Sequence, residues 1–439
     1  MRRLTSLDAL RGFDMFWIMS GEQIVHTLAK ATGWPVLVWM SGQLHHTVWN
    51  GFTFYDMIFP LFLFIAGVSM PFSFDGKDKR KLYPTMIRRM LTLVLLGLVV
   101  NGALKFDGYH QTRFASVLGR IGIAWFLAGL LYLNTGPRWL IVWWFGLLLG
   151  YWALMEWVPV PGYGAGALTM PGSLESYIDR LLLPGRLHDG IHDPEGILST
   201  IPAVGTALLG VFAGRFLKGA PSGASAAGAV APAAPPAVPT APAAPPAVPA
   251  ARAVPTAPPA ARAVPAAPPA ARAVPAAPPA AGAVAPAAPP AAHAAPAVRP
   301  ALRPAQKAAL LALAGLVLLA LGLLWDKAFP INKRLWTSSF VLYAGGWSVL
   351  FLALFYGVID VLGWKRWAQP FVWIGMNSIL IYLASEALVN FAFTAQALTG
   401  GLIHFAPPVW QPVWTAVSVT LVQLAGLYFL YKKKWFLKV

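Results

Sequence analysis

The chain has 439 residues, of which 57% are hydrophobic and only 11% charged, against about 25% charged in an ordinary soluble domain; a soluble globular fold is excluded. The formal net charge of +17 is gathered in particular loops, so it reads as the charge asymmetry of a membrane protein and not as a nucleic-acid footprint. There is no cysteine, which removes disulfides, thiolate metal sites and a cysteine acyl-enzyme. Apolar runs near the ~20 residues needed to cross a bilayer predict an all-α polytopic membrane protein. About ten transmembrane helices are expected, at 6–28, 52–73, 86–104, 115–134, 138–157, 196–217, 307–325, 337–361, 370–392 and 410–431. The period-2 alternation of a membrane barrel is absent.

The first element begins MRRLTSLDALRGFDMFWIMSGEQIV. Asp8, Arg11, Asp14 and Glu22 interrupt its apolar stretch, so it is expected to stay as a helix and not be cleaved as a signal peptide. Thr5 with Asp8 predicts an N-terminal capping box. Asp8 and Asp14 flank Arg11 at i±3 and are expected to neutralise it. Glu22 lies three turns beyond Arg11, about 16 Å along the axis, and has no local cation, which points to a cavity or a partner helix.

The second element is LHHTVWNGFTFYDMIFPLFLFIAGVSM, Leu44 to Met70. A helix starting near His46 would put His46, Asn50 and Thr53 on one face, with Asp56 at its edge. Alternatively, His45 and His46 anchor at headgroup level beside Trp49. Neither H-x-x-x-H nor H-E-x-x-H occurs, and no metal site is expected.

The loops then fix a topology. Arg2 and Arg3, the DGKDKRK run with Arg88 and Arg89, Arg138, Arg215 with Lys218, Lys365 with Arg366, and the KKK run at 432–434 fall on one side. The other side carries Lys333 and Arg334. An even number of spans with both termini cytoplasmic satisfies the positive-inside rule.

DPEG at 193–196 is expected to open the sixth helix, with Asp193 and Glu195 complementing its dipole or facing an amine or sugar hydroxyl. Residues 219–306 are nearly all Ala, Pro, Val and Gly, with AVPAAPPAAR repeating around 253–282. Proline at that density blocks helix and sheet ladders, so this segment reads as a cytoplasmic linker. It divides the chain into a six-helix part, 1–218, and a four-helix part, 307–439. GMNSILIYLASEAL at 375–388 puts Ser378, Tyr382, Ser385 and Glu386 on one side of the ninth helix and Asn377 elsewhere; such small polar residues also hold membrane helices together. Phosphate-loop, nucleophile-elbow and Rossmann motifs do not occur.

In order, LDALRGFDMF, HxxxWNG followed by DMIFP, YIDRLLL, DPEGILSTI, PINKRLWTSSFVL and GMNSILIYL resemble heparan-α-glucosaminide N-acetyltransferases and their bacterial NagX-type relatives. The likeness covers the chain outside 219–306. It implies a multi-pass enzyme of a bacterial inner membrane that takes acetyl from cytosolic acetyl-CoA and places it on the amine of glucosamine or a related amino sugar at the opposite face. The family's catalytic histidine maps onto His46. With it, Glu22 and Asn50 are assigned to catalysis, and Trp49, Asp56, Asp193, Glu195, Asn377 and Ser378 to substrate binding. Arg11 and Arg120 are assigned to the CoA phosphates. The expected partners are acetyl-CoA, an amino-sugar acceptor, the lipid bilayer and a second copy in a homodimer, with no nucleic acid. The competing readings are an amino-sugar transporter, in which the same buried groups relay protons, and an O-acyltransferase acting on envelope polysaccharide.

Overall fold

The computed structural model describes residues 4–105, 108–219 and 302–437, and the two sides of the Ala/Pro-rich stretch belong to one compact unit. The linker expected at 219–306 lies outside the described residues except at its ends, where helix already begins at Pro304. Among the described residues there are helices and two isolated bridges but no strands.

A long first helix runs through α1, Thr5–Phe16, a π-helical turn at Trp17–Gly21, and α2, Glu22–Thr32. Gly33 ends it with φ 63, the left-handed C-cap that glycine adopts without penalty. A short helix α3, Pro35–Gln43, follows. The spans are then α4, Phe54–Phe74; α5, Lys79–Val100; α6, Val117–Asn134; and α7, Pro137–Trp157. A short α8, Leu174–Leu182, sits in the longest loop between spans of the N-terminal part. Next come α9, Thr200–Lys218; α10, Pro304–Asp326; and α11, Ser338–Val361. The ninth predicted span is a bent pair, α12, Gln369–Met376, and α13, Ser378–Leu388, meeting at 74°. Finally come α14, Phe391–Ile403, and α15, Gln411–Lys432.

Eight of these helices are long and apolar enough to cross a membrane, or nine with the bent pair as one span. The first helix occupies the remaining predicted position, with its charges intact. The protein is an all-α polytopic membrane protein.

Burial sorts the spans into layers. In the most apolar 18 residues of α4 and α9, 78% and 72% are buried, against 17% in those of α5 and α10. The first two therefore form the centre, and the outer pair turn Leu91, Leu95, Leu313 and Leu321 outward as a lipid-facing surface. Close helix contacts rest on small residues. A Cβ at Gly12 would collide with the Phe371 carbonyl, and one at Gly375 with the Asp8 carbonyl, so α1 and α12 touch backbone to backbone.

Several local expectations change. No capping box forms at Thr5; Leu4 is the N-cap, and the Ser6 amide instead donates to Asp360 Oδ2 from α11 at 3.2 Å, a cap supplied across the bundle. Asp8 pairs with Arg11 at 3.7 Å, whereas both Asp14 oxygens are buried without a hydrogen-bond partner. The third span starts at Lys79 because Asp78 caps it, accepting from the Arg80 amide at 3.0 Å.

Candidate active site

The stretch carrying the histidines is not helical. Residues 45–53 form an irregular loop between α3 and α4, because Gly51 has φ 113 and its amide leaves the chain to reach Ile331 O at 2.8 Å. The expected stripe of His46, Asn50 and Thr53 on one helix face therefore does not exist. Helix α4 begins beyond it with Thr53 as N-cap, and the Asp56 carboxylate returns to the Thr53 amide at 3.2 Å.

That carboxylate also gathers the loop. His46 Nδ1 lies 2.8 Å from Asp56 Oδ1, and the Thr47 hydroxyl donates to Oδ2 at 3.0 Å. Lys333 Nζ approaches to 3.3 Å of Asp56 Oδ1 and 2.9 Å of His46 Nδ1. The Asp56 side chain is 1% exposed and that of His46 51%, so a buried acid orients an accessible imidazole. With Nδ1–H donated to Asp56, Nε2 is the ring's acceptor, 3.4 Å from Lys333 Nζ, since the bond made by one ring nitrogen sets the state of the other. His45 is turned away, its ring stacked on His26 at 4.4 Å.

Lys333 was visible in the sequence only as a loop cation of the PINKRLW motif. The turn that carries it is rigid: Asn332 Oδ1 accepts from the Leu335 amide at 2.9 Å, and the Thr337 hydroxyl from the Asn332 amide at 3.1 Å. Trp336 is fully buried with φ 51, a conformation rare for a bulky residue and typical of functional constraint. Its indole donates to Thr206 Oγ1 at 3.1 Å. Asn332 Nδ2 also donates to Asn50 Oδ1 at 3.0 Å, which joins the histidine loop to the lysine turn and leaves the Asn50 amide group free to donate. Burial lowers the Lys333 pKa from its ordinary value, opposed by Asp56 and Glu195.

Glu22 follows the π turn of the first helix and lies close enough to Tyr55 to act on its hydroxyl; the Tyr55 ring packs 4.7 Å from that of His46. Another π turn, Ala384–Leu388, carries Glu386. π turns recur at functional sites. Trp49 donates from Nε1 to Leu168 O at 2.8 Å and sets its ring edge-on to His192, 5.3 Å away.

Asp193 and Glu195 do not open a helix, which starts only at Thr200. They clamp Arg113, which sequence reading missed. Asp193 takes Arg113 Nε at 2.8 Å and Nη2 at 2.6 Å, and Glu195 takes Nη2 as well. This two-carboxylate fork holds Arg113 above its ordinary pKa despite burial, and it holds Asp193 below the usual carboxylate range although burial opposes that too. Arg120 lies beneath this layer, 2% exposed, donating to Gly196 O at 3.0 Å and Ser199 Oγ at 2.5 Å. It is at the His46 end because α6 runs from that end away, so the expected grouping with Arg11 fails.

Arg11 is at the other end, donating to Ser69 Oγ at 3.3 Å. Ser69 is thirteen residues beyond Asp56 along α4, about 20 Å at 1.5 Å per residue. Here a cavity of ≈ 440 Å³ is lined by Ser69, Ser73, Lys77, Arg88, Arg89 and Thr92. The Arg89 guanidinium lies 4.2 Å over the Trp125 ring, and its Nε has no hydrogen-bond partner. Asn377 is also remote from His46. Its side chain ties down the chain end, donating to Trp435 O at 3.0 Å and accepting from the Leu437 amide at 3.1 Å. Ser378, buried, follows it at the bend.

A histidine–aspartate–lysine cluster at one end of a membrane bundle and a basic cavity at the other define a polytopic membrane protein with a polar cluster at a helix mouth. Residues 3–239 match the family model described as heparan-alpha-glucosaminide N-acetyltransferase, catalytic, and the chain belongs to that family. It is 26% identical to heparan-alpha-glucosaminide N-acetyltransferase of Mus musculus, over 90% of this chain and 56% of that protein. With the protein of that name from Homo sapiens it shares 25% identity, over 90% of this chain and 55% of the relative. The chain thus spans about half the length of the curated relatives it matches.

Proposed function

We propose that the protein is a transmembrane acetyltransferase moving acetyl from acetyl-CoA to the amine of glucosamine or a related amino sugar. The observation that carries this reading is the Asp56–His46–Lys333 cluster, in a chain of that family. His46 Nε2 takes a proton from the acceptor amine as its nitrogen attacks the thioester carbonyl. The Lys333 ammonium and the free Asn50 amide stand as donors for the tetrahedral oxyanion. As the C–N bond becomes an amide, the C–S bond breaks and the CoA sulfur takes up the proton. Glu22, through Tyr55, borders the same imidazole.

The donor is assigned to the far cavity. Arg89, Arg88 and Lys77, with Arg11 beside them, offer cations and hydroxyls suited to phosphate, and this reading requires the pantetheine arm to cover the distance to His46. In this reading the Arg11 end faces the cytoplasm of a bacterium, both termini lie there, and the acceptor binds near Trp49 and Glu195. A homodimer accommodates one such path per copy, and no metal takes part.

The test is transfer of labelled acetyl to glucosamine in proteoliposomes. His46→Ala is expected to lose at least about 10²-fold in rate, and His45→Ala to keep most of it. Wild-type rates in His46→Ala reject the assignment. Counterflow of labelled glucosamine without donor would replace the enzyme with a transporter.

A further inference from the structure

Behind the His46 loop is a sealed polar cluster that the proposed chemistry does not use. Glu175, Ser176, Asp179, His192 and Ser199 are each 0% exposed. Glu175 and Asp179 are i and i+4 on α8 and so share a face. A methyl group placed on Gly196 would collide with both Asp179 Oδ2 and Glu175 Oε1, so the two carboxyls converge on one point, and glycine is required there.

The contacts form a chain. Arg120 Nη2 donates to Ser199 Oγ, which donates to Glu175 Oε1 at 3.0 Å. Glu175 Oε2 lies 2.9 Å from His192 Nδ1, and the His192 ring meets Trp49 edge-on. Trp49 is three residues from His46. Other charged and titratable groups facing the cluster are Tyr151 from α7, whose hydroxyl is spent on Leu335 O at 2.6 Å, the Asp193–Arg113–Glu195 clamp, and the Arg334–Asp189 pair farther out.

Charge balance then decides the state of the cluster. Arg120 supplies one positive charge and the two carboxyls would supply two negative ones. An uncompensated charge in a sealed site costs several kcal/mol. Asp179 Oδ2 has no hydrogen-bond partner, which an added hydrogen on either carboxyl would supply. We propose that Glu175 and Asp179 hold one proton between them and, through His192 and Trp49, are positioning residues for the loop that carries His46.

Burial raises both carboxyls, and the charge of Glu175 raises Asp179 again, so the proton the pair shares is released around 8, while burial pushes His192 down to about 4. Acids raised in the folded state add stability that is full below their unfolded values. That stability is lost as pH rises through about 8. At the alkaline transition the histidine is neutral.

The experiment compares wild type with Asp179→Asn, whose amide permanently supplies a hydrogen toward Glu175. Hydrogen exchange of residues 44–53, corrected for intrinsic rate, is followed from below to above pH about 8. Opening of that segment at alkaline pH in wild type, absent in Asp179→Asn, supports the proposal; the same opening in both proteins overturns it. The catalytic consequence rests on the acetyltransferase reading: transfer is expected to fall about tenfold per pH unit above the transition in wild type only. Glu175→Gln, with a neutral group at the other member, is expected to flatten both profiles as well. If exchange responds as expected but no variant transfers acetyl, the enzyme reading fails and the shared proton stands. If transfer depends on His46 while exchange does not respond to pH, the shared proton fails and the enzyme reading stands.

Discussion

The two ends of α4 differ in kind. At Asp56, a carboxylate collects a histidine, a threonine and a lysine from two loops, with acids, amides and rings around them. At Ser69, about 20 Å away, cations and hydroxyls surround a cavity; the Asp8 carboxylate is at that end, paired with Arg11. A cluster whose groups already bond one another is suited to directing protons, whereas a basic cavity in which Arg89 Nε is unspent is suited to an anion. In the proposed reading, one central helix thus separates where bonds are rearranged from where a charged carrier is gripped.

Breaking each end separately sharpens that contrast. The largest effect is expected from Arg113→Ala, which strands Asp193 and Glu195 and destabilises the fold by about 3–5 kcal/mol, read as a fall in Tm; Arg113→Lys should recover only part, lacking the fork geometry. Because Asp193 is held below its ordinary range, the clamp's contribution is present at neutral pH and lost as pH falls through that lowered value. Lys333→Met is expected to lower kcat by about 10²–10³-fold, the usual loss for one oxyanion donor, with little change in KM for acetyl-CoA. Arg89→Ala should do the reverse, raising that KM by the equivalent of about 1.5–3 kcal/mol, a charged hydrogen bond. Asn377→Ala should cost only about 1 kcal/mol in stability and leave kcat unchanged, because its side chain holds the chain end.

The spans were legible because apolar length and charge asymmetry are local properties, and the predicted and observed spans coincide along most of the chain. The short helices α3, α8 and α14 were not, being too brief or too mixed to stand out. The bend at Asn377 follows from a backbone of φ −128, ψ 32, which no periodicity announces. His46 and Asp56 could be paired as residues of one segment, but the loop between them could not be seen as a loop. Lys333, 287 residues from His46, and Arg113, 80 from Asp193, were illegible because tertiary contacts alone bring them in. The same limit misplaced Arg120, whose end of the bundle depends on the direction of α6.

The most direct measurement is a sided assay in sealed proteoliposomes of uniform orientation, with acetyl-CoA confined to one face and impermeant glucosamine to the other. N-acetylglucosamine is expected only when the donor is at the Arg89 end and the acceptor at the His46 end. Product formed only when both substrates share one face would contradict the account.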